Sequence, residues 1–254
     1  MKNNQPKVSI IAPSYNSEQF ISLTIDSVIS QSHKDWEMII VDDCSTDNTT
    51  IIVENYIKKY PEFSIELIKN NSNLGPALTR NRAIEKAKGR FIAFLDTDDL
   101  WKHNKLEVQL RFMKENNYKF TCSYFSQIDE NNNFIKDVTD IPSKISYNNL
   151  LTANKVGCLT AIYDTEYFGK VLMDNIKKRQ DFALWLKLLK KIDYVYCTPE
   201  ILAEYRVRNN SVSSNKFKLV KYHWFIYKDI EKLGVLKSFV LTIVYIYKTL
   251  NSKL

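Results

Sequence analysis

Short apolar runs alternate with segments of helical spacing through the first hundred residues. Residues 8–12 form an apolar run suited to a buried strand, ended by Pro13. Across 18–30, Phe20, Leu23, Ile25 and Val28 recur at helical spacing. A second strand is predicted over 36–41, stopped by Asp42-Asp43. Thr46-Asp-Asn-Thr49 then opens a helix with Ile52, Val53, Tyr56 and Ile57 on its apolar side. A third strand (64–68), a third helix (77–87) and a fourth strand (91–95) follow. The order βαβαβαβ predicts an α/β fold with parallel strands and helices on both faces.

In such a sheet, ligands bind beyond the carboxyl ends of the strands. The polar clusters fall at those ends: Ser14-Tyr-Asn16, Asp42-Asp43 and Asp96-Thr-Asp-Asp99. No G-x-G-x-x-G follows the first strand and no Walker loop occurs, so glycine-rich backbone is not what would hold phosphates.

The second half is less regular. A hairpin is expected from 120–127 and 133–138 around Asp129-Glu-Asn-Asn-Asn133. A strand is predicted at 159–163, a helix at 181–191, and two short strands at 194–198 and 202–207. From Lys216 onward the spacing is helical, with Gly234 as a break.

Composition narrows the partners. The chain has 254 residues, 44% of them hydrophobic, enough for one α/β domain with at most a small appendage. A formal net charge of +7 suits an anionic partner: nucleic acid, an acidic membrane surface or a phosphorylated substrate. Nucleic acid fits poorly, because the carboxylates at the strand ends would repel its backbone. Cys44, Cys122, Cys158 and Cys197 have no Cys-x-x-Cys spacing, which favours a reducing cytoplasm over a disulfide framework. The polar first residues carry no secretory pattern, and the apolar run 239–247, bounded by Lys237 and Lys248, is too short to cross a bilayer.

The strongest local signal is the strand ending in Asp96, Asp98 and Asp99. In extended backbone, residues two apart face the same way, so Asp96 and Asp98 could share a ligand. Hard oxygens favour Mg2+ or Mn2+ over zinc. Asp99 could instead cap the following helix. Asp43 could accept the N3–H of a uracil while Tyr15 offers a stacking face. Asp47 needs no more than a helix cap to explain it.

Four segments together resemble glycosyltransferase family 2, an inverting group with the GT-A fold. They are Val8-Ser-Ile-Ile-Ala-Pro-Ser-Tyr-Asn16, Ile39-Ile-Val-Asp-Asp-Cys-Ser-Thr-Asp47, Gly75-Pro-Ala-Leu-Thr-Arg-Asn81 and Phe94-Leu-Asp-Thr-Asp-Asp99. The resemblance implies that Pro13, Tyr15 and Asp43 surround the base and that Arg80 lies near the nucleotide or its sugar. It brings Asp96 to the ribose or donor sugar and makes Asp98 the main ligand of Mn2+ or Mg2+. Arg80 could otherwise be a helix-surface charge. Arg179-Gln-Asp-Phe-Ala-Leu-Trp185 is similar to the family's segment for the base, which makes Asp181 its carboxylate; Gln180 stands where a Glu is frequent. An Asp there could also merely cap a helix. Tyr205-Arg-Val-Arg-Asn-Asn-Ser-Val-Ser213 is similar to a Tyr-Arg motif, with Arg208 where a His is common; Arg206 is the candidate for a structural or phosphate contact.

The resemblance implies a GT-A catalytic domain over 1–213, with a nucleotide-binding half (1–100) and an acceptor-binding half (101–213). Residues 214–254 form a basic, amphipathic helical extension. It implies hexose transfer from a UDP-sugar, UDP-glucose before UDP-galactose or UDP-N-acetylglucosamine, in the synthesis of O-antigen or capsule. The acceptor would be a sugar on a polyprenyl diphosphate. Lysines interleaved with aromatics after residue 216 would suit an anionic membrane surface at the inner face of the cell membrane, or helix faces packed on the catalytic domain. A non-catalytic nucleotide-sugar or carbohydrate-binding protein would keep the base pocket but need neither Asp98 nor Asp181.

Overall fold

A computed structural model describes residues 8–208 and 216–251, with side chains from 219 to 248 in the second stretch. The first half follows the expected order: β1 (Val8–Ser14), α1 (Ile21–Ile29), β2 (Trp36–Asp42), α2 (Thr49–Lys59), β3 (Ser64–Lys69), α3 (Pro76–Lys86) and β4 (Phe91–Phe94). These strands lie in the order β3-β2-β1-β4, all parallel. Both faces are covered, which is why the strands read as continuous apolar runs. Ile10 and Ala12 of β1 join Ile25 and Val53 from α1 and α2, while Ile11 faces Ala83 and Ile84 of α3.

Two local expectations need correction. Strand β1 does not stop at Pro13 but continues to Ser14, paired with Asp42. A proline is tolerated there because the β1–β4 ladder ends at Ile11 and Phe94, so no donor is missed on that side. Leu23 is exposed, and Thr24 takes the inward position. The Thr24 hydroxyl can be buried because it donates to the carbonyl of Asp99 at 2.9 Å.

The second half extends the same sheet. Its elements are β5 (Leu100–Trp101), α4 (Lys105–Asn116), β6 (Phe120–Ile128), β7 (Phe134–Val138), β8 (Lys144–Ser146), α5 (Tyr147–Thr152), β9 (Ile162–Asp164), α6 (Thr165–Phe168), α7 (Gln180–Leu189) and β10 (Tyr194–Arg206). The β6–β7 hairpin forms as expected. The strand expected at 159–163 is instead a 3-10 turn, Cys158–Thr160, followed by β9, which lies antiparallel between β4 and β6. The two short strands expected at 194–198 and 202–207 are one strand. Its register against β6 slips between Thr198 and Ala203, around Pro199, which lacks a donor. Strand β10 therefore reaches past the β4 end of the sheet and delivers Arg206 there.

After the break at Gly234 expected from the sequence, α9 (Val235–Asn251) follows α8 (Lys216–Phe225) and a π-helical segment, Ile226–Ile230. The helices rest on α7 and α5. His223 lies 5.0 Å from the Phe182 ring, and the Tyr227 hydroxyl donates to the Leu151 carbonyl at 2.7 Å. The boundary expected between 213 and 214 lies outside the described residues.

Candidate active site

The loops after β1, β2 and β4 meet at one edge of the sheet. Tyr15 stands 52% exposed at the tip of β1. Behind it the chain turns through Asn16 at φ 48°, whose side chain accepts from Thr46 N at 2.9 Å. Ser17 then closes on the β4 loop through a 2.8 Å bond between its hydroxyl and that of Thr97. Thr97 also donates to the Pro13 carbonyl at 3.3 Å, so the β1 and β4 loops hold each other.

Asp43 is buried and already heavily used. Its Oδ1 accepts from Asn70 Nδ2 at 2.7 Å and Leu74 N at 2.8 Å, and its Oδ2 accepts from Gly75 N at 2.8 Å. It thereby pins the loop that leads into α3, where Gly75 adopts φ 84° immediately before Pro76. Asp47 does not cap α2, whose cap position is Asn48; from the residue before it, Asp47 accepts from the backbone and hydroxyl of Thr49 and from Glu18 N.

The acidic segment after β4 is not extended. Asp99 N donates to the Asp96 carbonyl at 3.0 Å, so the four residues form a turn, and strand alternation is not what places Asp96 beside Asp98. Both side chains remain half-buried. Burial, and then the Asp96 charge, raise the carboxyl of Asp98 above its ordinary range. Asp99 is fully buried and pushed well up by that burial and by Asp98 and Asp96. It caps no helix: α4 begins after Asn104, and Asp99 Oδ1 accepts the backbone N–H of Arg206 at 2.8 Å.

Arg80 is not a surface charge. It projects from α3 into the interior, buried, and pairs with Asp96. Burial works against its charge, but Asp96 outweighs it and holds the guanidinium above the usual arginine range, with smaller contributions from Cys158 and Asp181. Its Nε and Nη1 have no partner among the described residues. Arg80 therefore ties α3 to the acidic turn through Asp96.

Asp181 sits in the first turn of α7 but does not cap it. The cap position is Arg179, in the left-handed conformation at φ 65°, with no side-chain cap bond. Leu184 and Leu188, one turn apart on the same face, anchor the helix in the core. Among the described residues no hydrogen bond claims the Asp181 carboxylate, which stays partly open to solvent.

The two arginines of the Tyr-Arg segment divide their work. Arg206 is 2% exposed; its Nε donates to the Asp98 carbonyl at 2.7 Å and its Nη1 to the Asp129 carbonyl at 2.9 Å. Its guanidinium also lies 4.6 Å from the Phe20 ring. Of the two contacts considered for it, the structural one is what these bonds make. The more exposed cation is Arg208, whose Nη1 meets Asp98 Oδ2 at 3.1 Å. Residues 209–213 of that segment lie outside the described residues. Sequence reasoning assigned Thr97 no role, because the bonds that make it a bridge reach Ser17 and Pro13, 80 and 84 positions away.

A parallel nucleotide half joined through an antiparallel strand to a second parallel pair, with acidic loops at one edge, is the GT-A arrangement. The likeness to S. aureus TarS in complex with UDP-GlcNAc shows the same fold: TM-score 0.74 at 21% identity, covering 98% of this chain and 76% of that one. The sequence profile of Glycosyl transferase family 2 matches residues 9–169. A Bacillus subtilis (strain 168) protein provisionally named as the teichuronic acid biosynthesis glycosyltransferase TuaG is 45% identical over 238 residues, 94% of each chain. The Escherichia coli UDP-Glc:alpha-D-GlcNAc-diphosphoundecaprenol beta-1,3-glucosyltransferase WfgD is 41% identical, over 87% of this chain and 85% of its own. The chain belongs to glycosyltransferase family 2.

Proposed function

We propose that this chain moves a hexose from a UDP-sugar, UDP-glucose first among them, to a glycan carried on a polyprenyl diphosphate. Transfer inverts C1 and serves a bacterial surface polysaccharide such as O-antigen or capsule, at the inner face of the cell membrane. The observation that carries this reading is Arg80, a buried cation on α3 paired with Asp96, which ties the acidic turn after β4 to the helix that follows the base-side loop. The printed name of WfgD supports the classes of donor and acceptor, and the assignment of TuaG to teichuronic acid biosynthesis points the same way.

In this reading residues 1–100 hold the nucleotide and 101–213 the acceptor. Tyr15 offers its exposed ring to the base, bordered by Pro13 and by Asp43, whose Oδ2 retains an open lone pair. Asp98, with Asp96 beside it, fits Mn2+ or Mg2+: two half-buried hard-oxygen carboxylates crowd in one turn, and the Arg208 paired with Asp98 is half-exposed and can give way to an ion. Among the described residues no third acidic, His or Cys side chain completes a cage, so donor phosphate and water oxygens would fill the remaining positions. When bound, such an ion neutralises charge on the departing diphosphate.

The acceptor oxygen forms its bond to C1 as the bond from C1 to the diphosphate oxygen breaks. Asp181 takes the hydroxyl proton, and the electron pair leaves with UDP, within reach of the more exposed Arg208. A thermal-shift screen of UDP-sugars with and without Mn2+ tests the donor, because a bound donor raises the melting temperature by linkage. UDP-glucose with Mn2+ is expected to give the largest rise, and NMR of the product to show a β-linked sugar. No response to any sugar nucleotide would sink the donor assignment.

A further inference from the structure

The outer face of α9 breaks the rule that a surface helix turns its apolar residues inward. Its inner face is in place: Ser238, Leu241, Thr242 and Tyr245 are buried. Yet Leu236, Phe239, Val240 and Ile243 form a second apolar stripe, exposed by 77%, 55%, 51% and 49%. The spacing i, i+3, i+4, i+7 puts them on one side of the helix. No described helix is long and apolar enough to cross a membrane.

We propose that this stripe is a docking face for an anionic lipid bilayer, with α9 lying flat at the headgroup boundary. Charge selects this occupant. Lys221, Lys228, Lys232 and Lys237 belong to the same helical region and are all exposed, whereas Lys248 turns to Thr152 of α5. The acidic residues from 219 to 248 are Asp229 and Glu231, and Glu231 is buried, paired with Lys190 at 2.7 Å. A helix with an apolar face and a lysine border is suited to lie 5–10 Å deep, about the depth of an interfacial helix, with the ammonium groups reaching the phosphates. A second copy of this chain would instead bring one lysine border against another.

The placement also deepens the function proposed above and rests on its lipid-linked acceptor. The inner face of α9 touches α8 and the start of α7: Tyr245 stacks on His223 of α8 at 3.7 Å, and its hydroxyl accepts from Nη2 of Arg179, the residue before α7, at 3.4 Å. Arg179 is two residues from Asp181. The thickness of one helix, about 10 Å, thus separates the bilayer from the segment that carries Asp181. An acceptor tethered by a diphosphate to a lipid would enter the site from that side.

The test uses the full chain and the double variant Leu236→Glu/Phe239→Glu, floated with vesicles of phosphatidylglycerol and phosphatidylcholine or of phosphatidylcholine alone. The native chain should float with the mixed vesicles and far less with the neutral ones. The variant should lose at least about tenfold in partitioning, since two buried apolar side chains are forfeited. UDP-glucose with Mn2+ should raise the melting temperature of both proteins equally, which separates a folding defect from a docking defect. Equal flotation of variant and native chain, or none by the native chain, overturns the proposal. So does a native dimer that the variant turns into a monomer by light scattering, which would give the stripe to a second copy. Flotation without any response to UDP-glucose would leave the docking face standing and fail the donor assignment instead.

Discussion

Arg208 Nη1 lies 3.1 Å from Asp98 Oδ2, and the pair is the half-exposed ion pair at the tip of the acidic turn. A guanidinium cannot ligate a metal, so an arginine here holds the carboxylate in place while remaining free to transfer its donors to phosphate oxygens. Arg208→Ala is expected to weaken UDP-glucose binding in the presence of Mn2+ about tenfold, the value of one charge-assisted contact. Arg208→Lys should recover part of the loss. Titration calorimetry measures both; unchanged affinity in the alanine variant would remove Arg208 from the donor site.

Asp181→Asn keeps the shape of the α7 start but cannot take a proton. Turnover is expected to fall by about 10²- to 10⁴-fold while affinity for UDP with Mn2+ stays near native. A radiolabelled-sugar transfer assay beside calorimetry separates the two quantities. Turnover within threefold or so of native, measured at the same donor occupancy, would take the proton-acceptor role away from Asp181.

Arg206 makes the opposite prediction, because its bonds are structural. Arg206→Met keeps much of the packing on Phe20 but leaves the Asp98 and Asp129 carbonyls without their donors. The cost is expected to be about 3 kcal/mol, read from denaturant midpoints. A variant as stable as the native chain would show that the clamp is dispensable.

His223 gives the chain an acid-sensitive seam. Burial, and then the Arg179 charge, lower its imidazole from 6.5 to about 3. Within that window the unfolded chain binds a proton that the folded chain refuses. Stability is therefore intact above pH 6.5 and falls as pH drops toward 3, by up to about 1.4 kcal/mol per pH unit. His223→Phe, which preserves the stack on Tyr245, should flatten melting temperature against pH between 6.5 and 4.

The parallel half of the fold was legible because each element there carries its own periodicity and its neighbours follow in sequence. Strand β10 was not, since Pro199 and the shifted register look locally like a gap between two strands. The site shows the same division. Asp96, Asp98, Arg80 and Asp181 were visible as residues, but the turn at Asp96 is held by Ser17, Thr24 and Arg206, partners far along the chain. The division of work between Arg206 and Arg208 has the same origin. Two residues apart in one segment and both beside Phe20, they differ because Asp99 and Asp129 bond the first.

The bond from Arg206 N to Asp99 spans 107 positions. As the polypeptide leaves the ribosome, the acidic turn can already be held by Ser17 and Thr24 before β10 has been made, but the Asp99 carboxylate waits for its backbone donor until Arg206 emerges. A fragment ending before that arginine would fold around an unfinished floor, so competence for chemistry arrives late in synthesis, as a property of the whole sheet.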